Sequence, residues 1–283
     1  MLENDETIDK ILKLAKDDDA IRAVMLNGSR ANKEALKDPF QDYDIVYYVK
    51  NDISLRYKDF SKLFDEILIM QTLDDMVFDP YTDEDSMVYL MQFKNGKRID
   101  LTIRKIKNLL SDYHEDSLSV ILLDKDNHIK SVFEPSLKTY YIKKPDQVLF
   151  ASCINEFYWV SLYVSKGVLR NQLTYAIDHL NIIRKCLKGM IDWDIAYDYN
   201  YEISLGKNNS LYPIYLSASD FYQYTLTYPN FNAKAIIESL FNMIELFHKK
   251  ALSVSEKLNY TYNELDYYNV KAYISNQIEV YNE

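Results

Sequence analysis

From residue 147 the hydrophobic pattern of this chain becomes helical throughout, and that change restricts it to two differently built parts. Before it, apolar residues come in short runs at 21–26, 43–49, 87–93, 99–103 and 120–123, the first β-branched and the second rich in aromatic residues. Runs of that length bounded by turn residues read as strands. Between 93 and 99 stands Lys94-Asn95-Gly96-Lys97, the turn chemistry of a hairpin. Helical spacing is confined to 5–17 (Ile8, Ile11, Leu12, Ala15), a short stretch at 30–37 ending before Pro39, and 104–113; residues 56–70 read as a helix or a helix plus a strand. After 147 the pattern is helical throughout: Phe150, Ile154, Phe157, Tyr158 and 160–164 share a long apolar face, and the spacing recurs over 170–190, 217–226, 233–258 and 264–280. That half reads as a bundle of about five helices. The connecting stretch 124–146 is charged, contains Pro135 and Pro145, and has weak periodicity. The expectation is an α+β chain with a sheet-containing domain over 1–135 and a helical domain over 146–283.

Apolar residues make up 48% of the chain and charged residues 27%, enough for a packed core in each part. The net charge of −10, acidic in both halves, repels phosphate backbones and favours cationic small molecules, so nucleic acid is not the expected partner. Cys153 and Cys186 fit neither a disulfide framework nor a zinc spacing and are expected as reduced, buried thiols. The acidic start lacks the basic and apolar regions of a signal peptide, and no unbroken run of about 18 apolar residues suggests a membrane span. A soluble, cytoplasmic protein is expected, with its oligomeric state open.

Three signals carry chemistry. In Asp42-Tyr43-Asp44, two carboxylates at i and i+2 project to the same side of a strand. Like charges so close need a partner, and a divalent cation such as Mg²⁺ supplies one. In Arg98-Ile99-Asp100-Leu101-Thr102-Ile103, the isoleucines and leucine alternate with Asp100 and Thr102. Asp100 is therefore expected to face away from the core, towards Asp42 and Asp44. Three carboxylates from two strands suit two Mg²⁺ ions and an in-line phosphoryl displacement, with Asp100 as general base. The third signal is the turn Gly28-Ser29-Arg30: glycine permits close approach, Ser29 offers a hydroxyl and an N–H at a helix mouth, and Arg30 adds charge for a triphosphate. No GxxxxGK[ST] occurs, which excludes a P-loop kinase.

The segments Leu26-Asn27-Gly28-Ser29-Arg30-Ala31-Asn32 and Phe40-Gln41-Asp42-Tyr43-Asp44-Ile45-Val46-Tyr47 resemble the signature of the aminoglycoside 6-adenylyltransferases, streptomycin-modifying members of the DNA polymerase β-like nucleotidyltransferases. The resemblance continues in Leu122-Leu123-Asp124-Lys125-Asp126, Asn155-Glu156-Phe157-Tyr158-Trp159-Val160, Tyr163-Val164-Ser165-Lys166-Gly167, Ala176-Ile177-Asp178-His179-Leu180-Asn181 and Ser204-Leu205-Gly206-Lys207-Asn208. It implies a nucleotidyltransferase domain with a mixed sheet, and ATP-dependent transfer of AMP to an aminoglycoside hydroxyl with release of pyrophosphate. Asp42 and Asp44 fall on its metal-binding aspartates, Asp100 on its base-like aspartate, and Gly28 and Ser29 on its phosphate-binding turn. Lys207 falls where a triphosphate contact from the helical half is expected. The same chemistry admits another acceptor, a lincosamide or a protein hydroxyl, and the fold admits a nucleotide-binding module without catalysis.

In the helical half, Glu156 either pairs with a neighbouring base or recognises a cationic group of the acceptor. Asp178 and His179 carry the same two readings. Trp159 and Tyr158 either fill the core or stack on a sugar. Glu156, Trp159, Asp178 and His179 form the candidate acceptor set.

Overall fold

A computed structural model describes residues 5–33, 35, 38–50, 63–80, 82–83 and 85–282. They form two compact units, Met1–Thr139 and Tyr140–Glu283.

The first unit begins with α1 (Glu6–Asp17), capped by Asp5, whose carboxylate accepts from the Thr7 and Ile8 backbone N–H groups at 2.9 and 3.3 Å. Six strands follow: β1 (Ile21–Asn27), β2 (Tyr43–Val49), β3 (Ile67–Thr72), β4 (Ser86–Phe93), β5 (Arg98–Lys105) and β6 (Ser119–Asp124). They form one mixed sheet in the order β3-β4-β5-β2-β1-β6. Only β2 and β5 run parallel among these pairs. Gly96 takes a positive φ of 86° in the β4–β5 turn, as the Asn-Gly pair anticipates.

The two faces of the sheet follow from the period of two. Tyr43, Ile45, Tyr47 and Val49 of β2 and Ile99, Leu101 and Ile103 of β5 join Ile8, Ile11 and Ala15 of α1 in one core. Val46 and Tyr48 point the other way, where they pack with Leu109 and Tyr113 of α2 (Leu109–Glu115). Asp44 and Asp100 share that second parity. They sit at the N-terminal ends of their strands, while Val46 and Tyr48 lie further along β2 towards α2.

Two local expectations change. The helix expected over 104–113 starts five residues late, because β5 runs on to Lys105, paired with β2 on one side and with β4 as far as Arg104 on the other. Ladder hydrogen bonds on both edges outweigh the helical spacing there. Of the helix expected over 30–37, the described residues show a single 3-10 turn, Gly28–Arg30, while 34, 36 and 37 lie outside them. Of 56–70, the described part ends in β3, and 56–62 lie outside.

The second unit contains α3 (Gln147–Leu169), α4 (Leu173–Asp198), the one-turn α5 (Tyr212–Tyr215), α6 (Ala218–Thr225), α7 (Ala233–Leu258) and α8 (Leu265–Asn282). Asp146 caps α3 by accepting from Leu149 N–H at 2.7 Å. The core is aromatic at its centre: Phe157 of α3 stacks on Phe247 of α7 with ring centroids 3.7 Å apart. By length and composition α3 is apolar enough to cross a membrane, although polar residues such as Asn155 and Glu156 interrupt its apolar run. Phe150, Ile154, Phe157, Tyr158, Val160 and Val164 are buried in the bundle, which accounts for the apolarity. Cys153 and Cys186 are free and half-buried; the Cys153 thiol donates to the Cys186 carbonyl at 3.5 Å across α3 and α4.

One ionic cluster ties α4, α6 and α7 together. Lys250, 7% exposed, donates to Asp194 at 2.7 Å and contacts Asp220 at 2.8 Å. Lys249 binds the other oxygen of Asp220 at 2.5 Å, and Ser253 and Lys257 reach Asp194 at 2.5 and 3.0 Å. Burial opposes the charge on Asp194, Asp220 and Lys250, yet the pairing prevails: both carboxyls lie below their ordinary pKa and Lys250 above its own.

Candidate active site

The site in the first unit is built on three adjoining backbone segments. At the end of β1, Gly28 adopts φ +73°, and a Cβ placed there would run into the Asp44 carboxylate. The glycine is therefore required twice, for its backbone angle and for the room it leaves a carboxylate. Ser29 is exposed on the turn that follows. Asn27, which precedes it, accepts from the Ser119 hydroxyl of β6 at 3.1 Å.

Arg30 turns back onto the aspartate segment. Its guanidinium donates to the carbonyls of Asp42 and Gln41 at 3.0 Å each, lies over the Tyr43 ring 3.6 Å from the centroid, and pairs with Asp5 at 3.5 Å. Tyr43 in turn donates to Asp5 at 3.0 Å. These contacts pin the chain that enters β2. Arg30, the expected triphosphate contact, holds the Gln41 and Asp42 carbonyls in this structure.

Asp42 immediately precedes β2, and Asp44 is its second residue. In the parallel register Asp44 lies directly beside Asp100 of β5. Adjacent strands are about 4.8 Å apart, so the two carboxylates are neighbours on one face. Arg98 was not singled out in the sequence, although it shares the parity of Asp100 and so rises on the same face two residues away. Its Nε and Nη2 donate to the two Asp100 oxygens at 2.8 Å each, and Nε lies 3.6 Å from Asp42 Oδ2. The fork to Asp100 raises the guanidinium's pKa above its ordinary value; burial opposes this, and the charges of Asp100, Asp42 and Asp44 add to it. All three carboxylates thus act on one cation.

Among the described residues, no three Asp, Glu, His or Cys side chains are gathered closely enough to hold a metal ion as they stand. The chemistry of the donor set nonetheless fits a hard divalent cation: carboxylates only, sharing one face, with their charge converging on a single positive group.

The candidate acceptor residues lie on α3 and α4 of the helical unit, Glu156, Trp159 and Asp178 exposed and His179 half-buried. Glu156, Trp159 and Tyr163 follow helical spacing on α3; Tyr175, Asp178 and His179 do so on α4. Trp159 is 57% exposed rather than in the core, while Tyr158, one residue away and about 100° around the helix, is buried. Trp159 donates to the Tyr163 hydroxyl at 2.8 Å. Tyr163 meets His179 edge-on at 5.4 Å, and His179 leans on Tyr175 at 4.0 Å. The result is a row of four rings across two helices, with the exposed carboxylates of Glu156 and Asp178 on the same two helices.

Lys207 is exposed on a 3-10 turn, Lys207–Asn209, that follows Gly206 at φ +75°. The turn is anchored by Asp192, which accepts from Asn209 at 2.7 Å and Tyr212 at 2.6 Å. Burial raises the Asp192 pKa from 3.8 to about 6, against those hydrogen bonds and Lys188. A folded-state pKa above the unfolded one means that the folded chain holds its proton longer. Stability contributed here is full below pH 4 and declines as pH rises to about 6. Asp192→Asn keeps an acceptor for Tyr212 and removes the charge. It should be more stable than the wild type at pH 7 by about 2 kcal/mol, with the difference vanishing below pH 4, measured by urea unfolding across that range.

A family model described as streptomycin adenylyltransferase matches residues 1–277. The chain is 38% identical over 270 residues to the aminoglycoside 6-adenylyltransferase of Bacillus subtilis (strain 168), covering 94% of this chain and 95% of that protein. It is 33% identical over 277 residues to an aminoglycoside 6-adenylyltransferase of Staphylococcus aureus (97% and 98% covered). It is 36% identical over 259 residues to one of Campylobacter jejuni (91% and 90% covered).

Proposed function

The chain belongs to the streptomycin adenylyltransferase family, and from that membership we propose that it transfers AMP from ATP to a hydroxyl of a streptomycin-like aminoglycoside, releasing pyrophosphate and conferring resistance to the drug. The observation that carries the reading at the level of residues is the β2–β5 register, which sets Asp44 beside Asp100 on the face where Asp42 and Arg98 also lie.

Asp100 accepts the proton of the acceptor hydroxyl at a carboxylate oxygen. The hydroxyl oxygen then bonds to the α-phosphorus of ATP as the bond to the pyrophosphate oxygen breaks. Asp42, Asp44 and Asp100 would hold two magnesium ions, which when bound offset the charge on the phosphate oxygens. Gly28 and Ser29 lend the turn against which the phosphates lie. On the helical unit, the ring row presents flat apolar faces to a sugar, and Glu156 and Asp178 attract its cationic groups.

The test is mass spectrometry of streptomycin incubated with the protein, ATP and Mg²⁺. A gain of one AMP residue on the drug is expected; no gain on streptomycin or on any member of an aminoglycoside panel overturns the assignment. Within the same assay, Gly28→Ala should lower kcat/KM about a hundredfold, because its Cβ displaces the Asp44 carboxylate and misplaced reacting groups lose about that much. Activity within threefold of the wild type would show that the close approach at Gly28 is unimportant.

A further inference from the structure

We propose that Arg98 is a built-in counter-cation that holds Asp42 and Asp100 in the metal-free enzyme and competes with the divalent cation for them. The inference rests on the reading of these carboxylates as the metal-binding set. Three negative side chains on one small patch repel one another, and the fold must offset that repulsion before any cation arrives. Arg98 does so with two parallel 2.8 Å hydrogen bonds to Asp100 and a 3.6 Å approach to Asp42. The two-armed fork is a geometry that a guanidinium provides and an ammonium does not.

Two properties make this an exchangeable partner. A guanidinium does not give up its proton, so it leaves the carboxylates only by rotating its side chain. Its side chain is 41% exposed, against 19% for Asp100, so one flank is open to water. A cation binding to Asp42 and Asp100 must therefore break the fork. Metal alone should bind weakly. A triphosphate arriving with the metal gives the displaced guanidinium a new anionic partner, so metal and nucleotide should favour each other's binding.

The experiment is calorimetric titration of the metal-free, full-length protein with Mn²⁺, with and without a non-hydrolysable ATP analogue. Arg98→Gln should bind Mn²⁺ alone about tenfold more tightly than the wild type, the size expected for losing a half-exposed charge-assisted pair. It should also lose most of the enhancement brought by the nucleotide. Arg98→Lys, which keeps the charge without the fork, should fall between the two and serves if the glutamine variant does not fold. Asp42→Asn should bind Mn²⁺ at least tenfold more weakly than the wild type. If Asp42→Asn weakens binding while Arg98→Gln and Arg98→Lys match the wild type, the counter-cation role is overturned and the metal assignment stands. If Asp42→Asn also matches the wild type, the metal assignment itself fails and takes the proposal with it.

Discussion

The Asp100→Asn enzyme should transfer AMP roughly a thousandfold more slowly than the wild type while unfolding within about 1 kcal/mol of it. Asparagine has nearly the same size and shape, so β5 and its pairing with β2 and β4 are undisturbed. Besides one of the three carboxylates proposed to hold magnesium, two things are lost. The side chain no longer accepts a proton from the acceptor hydroxyl, a contribution of 10²–10⁴ in rate. One of three charges acting on Arg98 disappears as well. The stability effect is small because the Arg98 side chain is 41% exposed and water replaces the broken half of its fork. The split between a collapsed kcat and an unaltered fold, followed by steady-state kinetics and urea unfolding, is the signature of a residue acting on the reacting atoms. A loss below tenfold would remove Asp100 from the role of base.

The largest effect on stability is expected far from that chemistry. Lys250→Met should cost about 3–5 kcal/mol, because Asp194 and Asp220 are then left in the bundle interior without the ammonium that both share. Methionine fills the space of the aliphatic stem, so the loss reports the charge rather than a cavity. Lys249 and Lys257 remain on the rim of the cluster and keep the cost within that range instead of above it. The carboxyls of Asp194 and Asp220 lie below their ordinary pKa in the native protein, so the stability they provide is present at neutral pH and lost as pH falls through their folded values. In the variant this acid loss should be much reduced, and the two proteins should converge in stability towards low pH. Urea unfolding at pH 7 and at about pH 3, below the ordinary 3.8 of both carboxyls, measures both halves of the prediction. A cost under 1 kcal/mol at pH 7 would mean that the cluster contributes nothing net.

Several features of the fold were legible because they belong to one segment at a time. The strand runs, the Asn95-Gly96 turn and the long helical faces after 147 are local patterns, and each appears where its periodicity puts it. The alternation in β5 was enough to set Asp100 opposite to Ile99 and Leu101. The expectation for 104–113 erred where tertiary context spoke louder, since a helical spacing cannot register the two strands that flank β5. Trp159 shows the same limit in the bundle: an apolar residue among apolar residues carries no sign of which one faces outward.

The amino-acid order alone determined the two-part build, the shared side of Asp42 and Asp44 and the direction of Asp100 away from Ile99 and Leu101, since each follows from periodicity along one stretch of backbone. What only the folded chain decided is who stands across from whom. The parallel β2–β5 register brings Asp44 to Asp100, the fork from Arg98 spans to Asp42, Arg30 closes on the Gln41 and Asp42 carbonyls, and Lys250 finds Asp194 and Asp220 from another helix. Periodicity tells a residue's direction within its own element. Its partner comes from packing the elements together, where burial and hydrogen bonding are satisfied jointly rather than segment by segment.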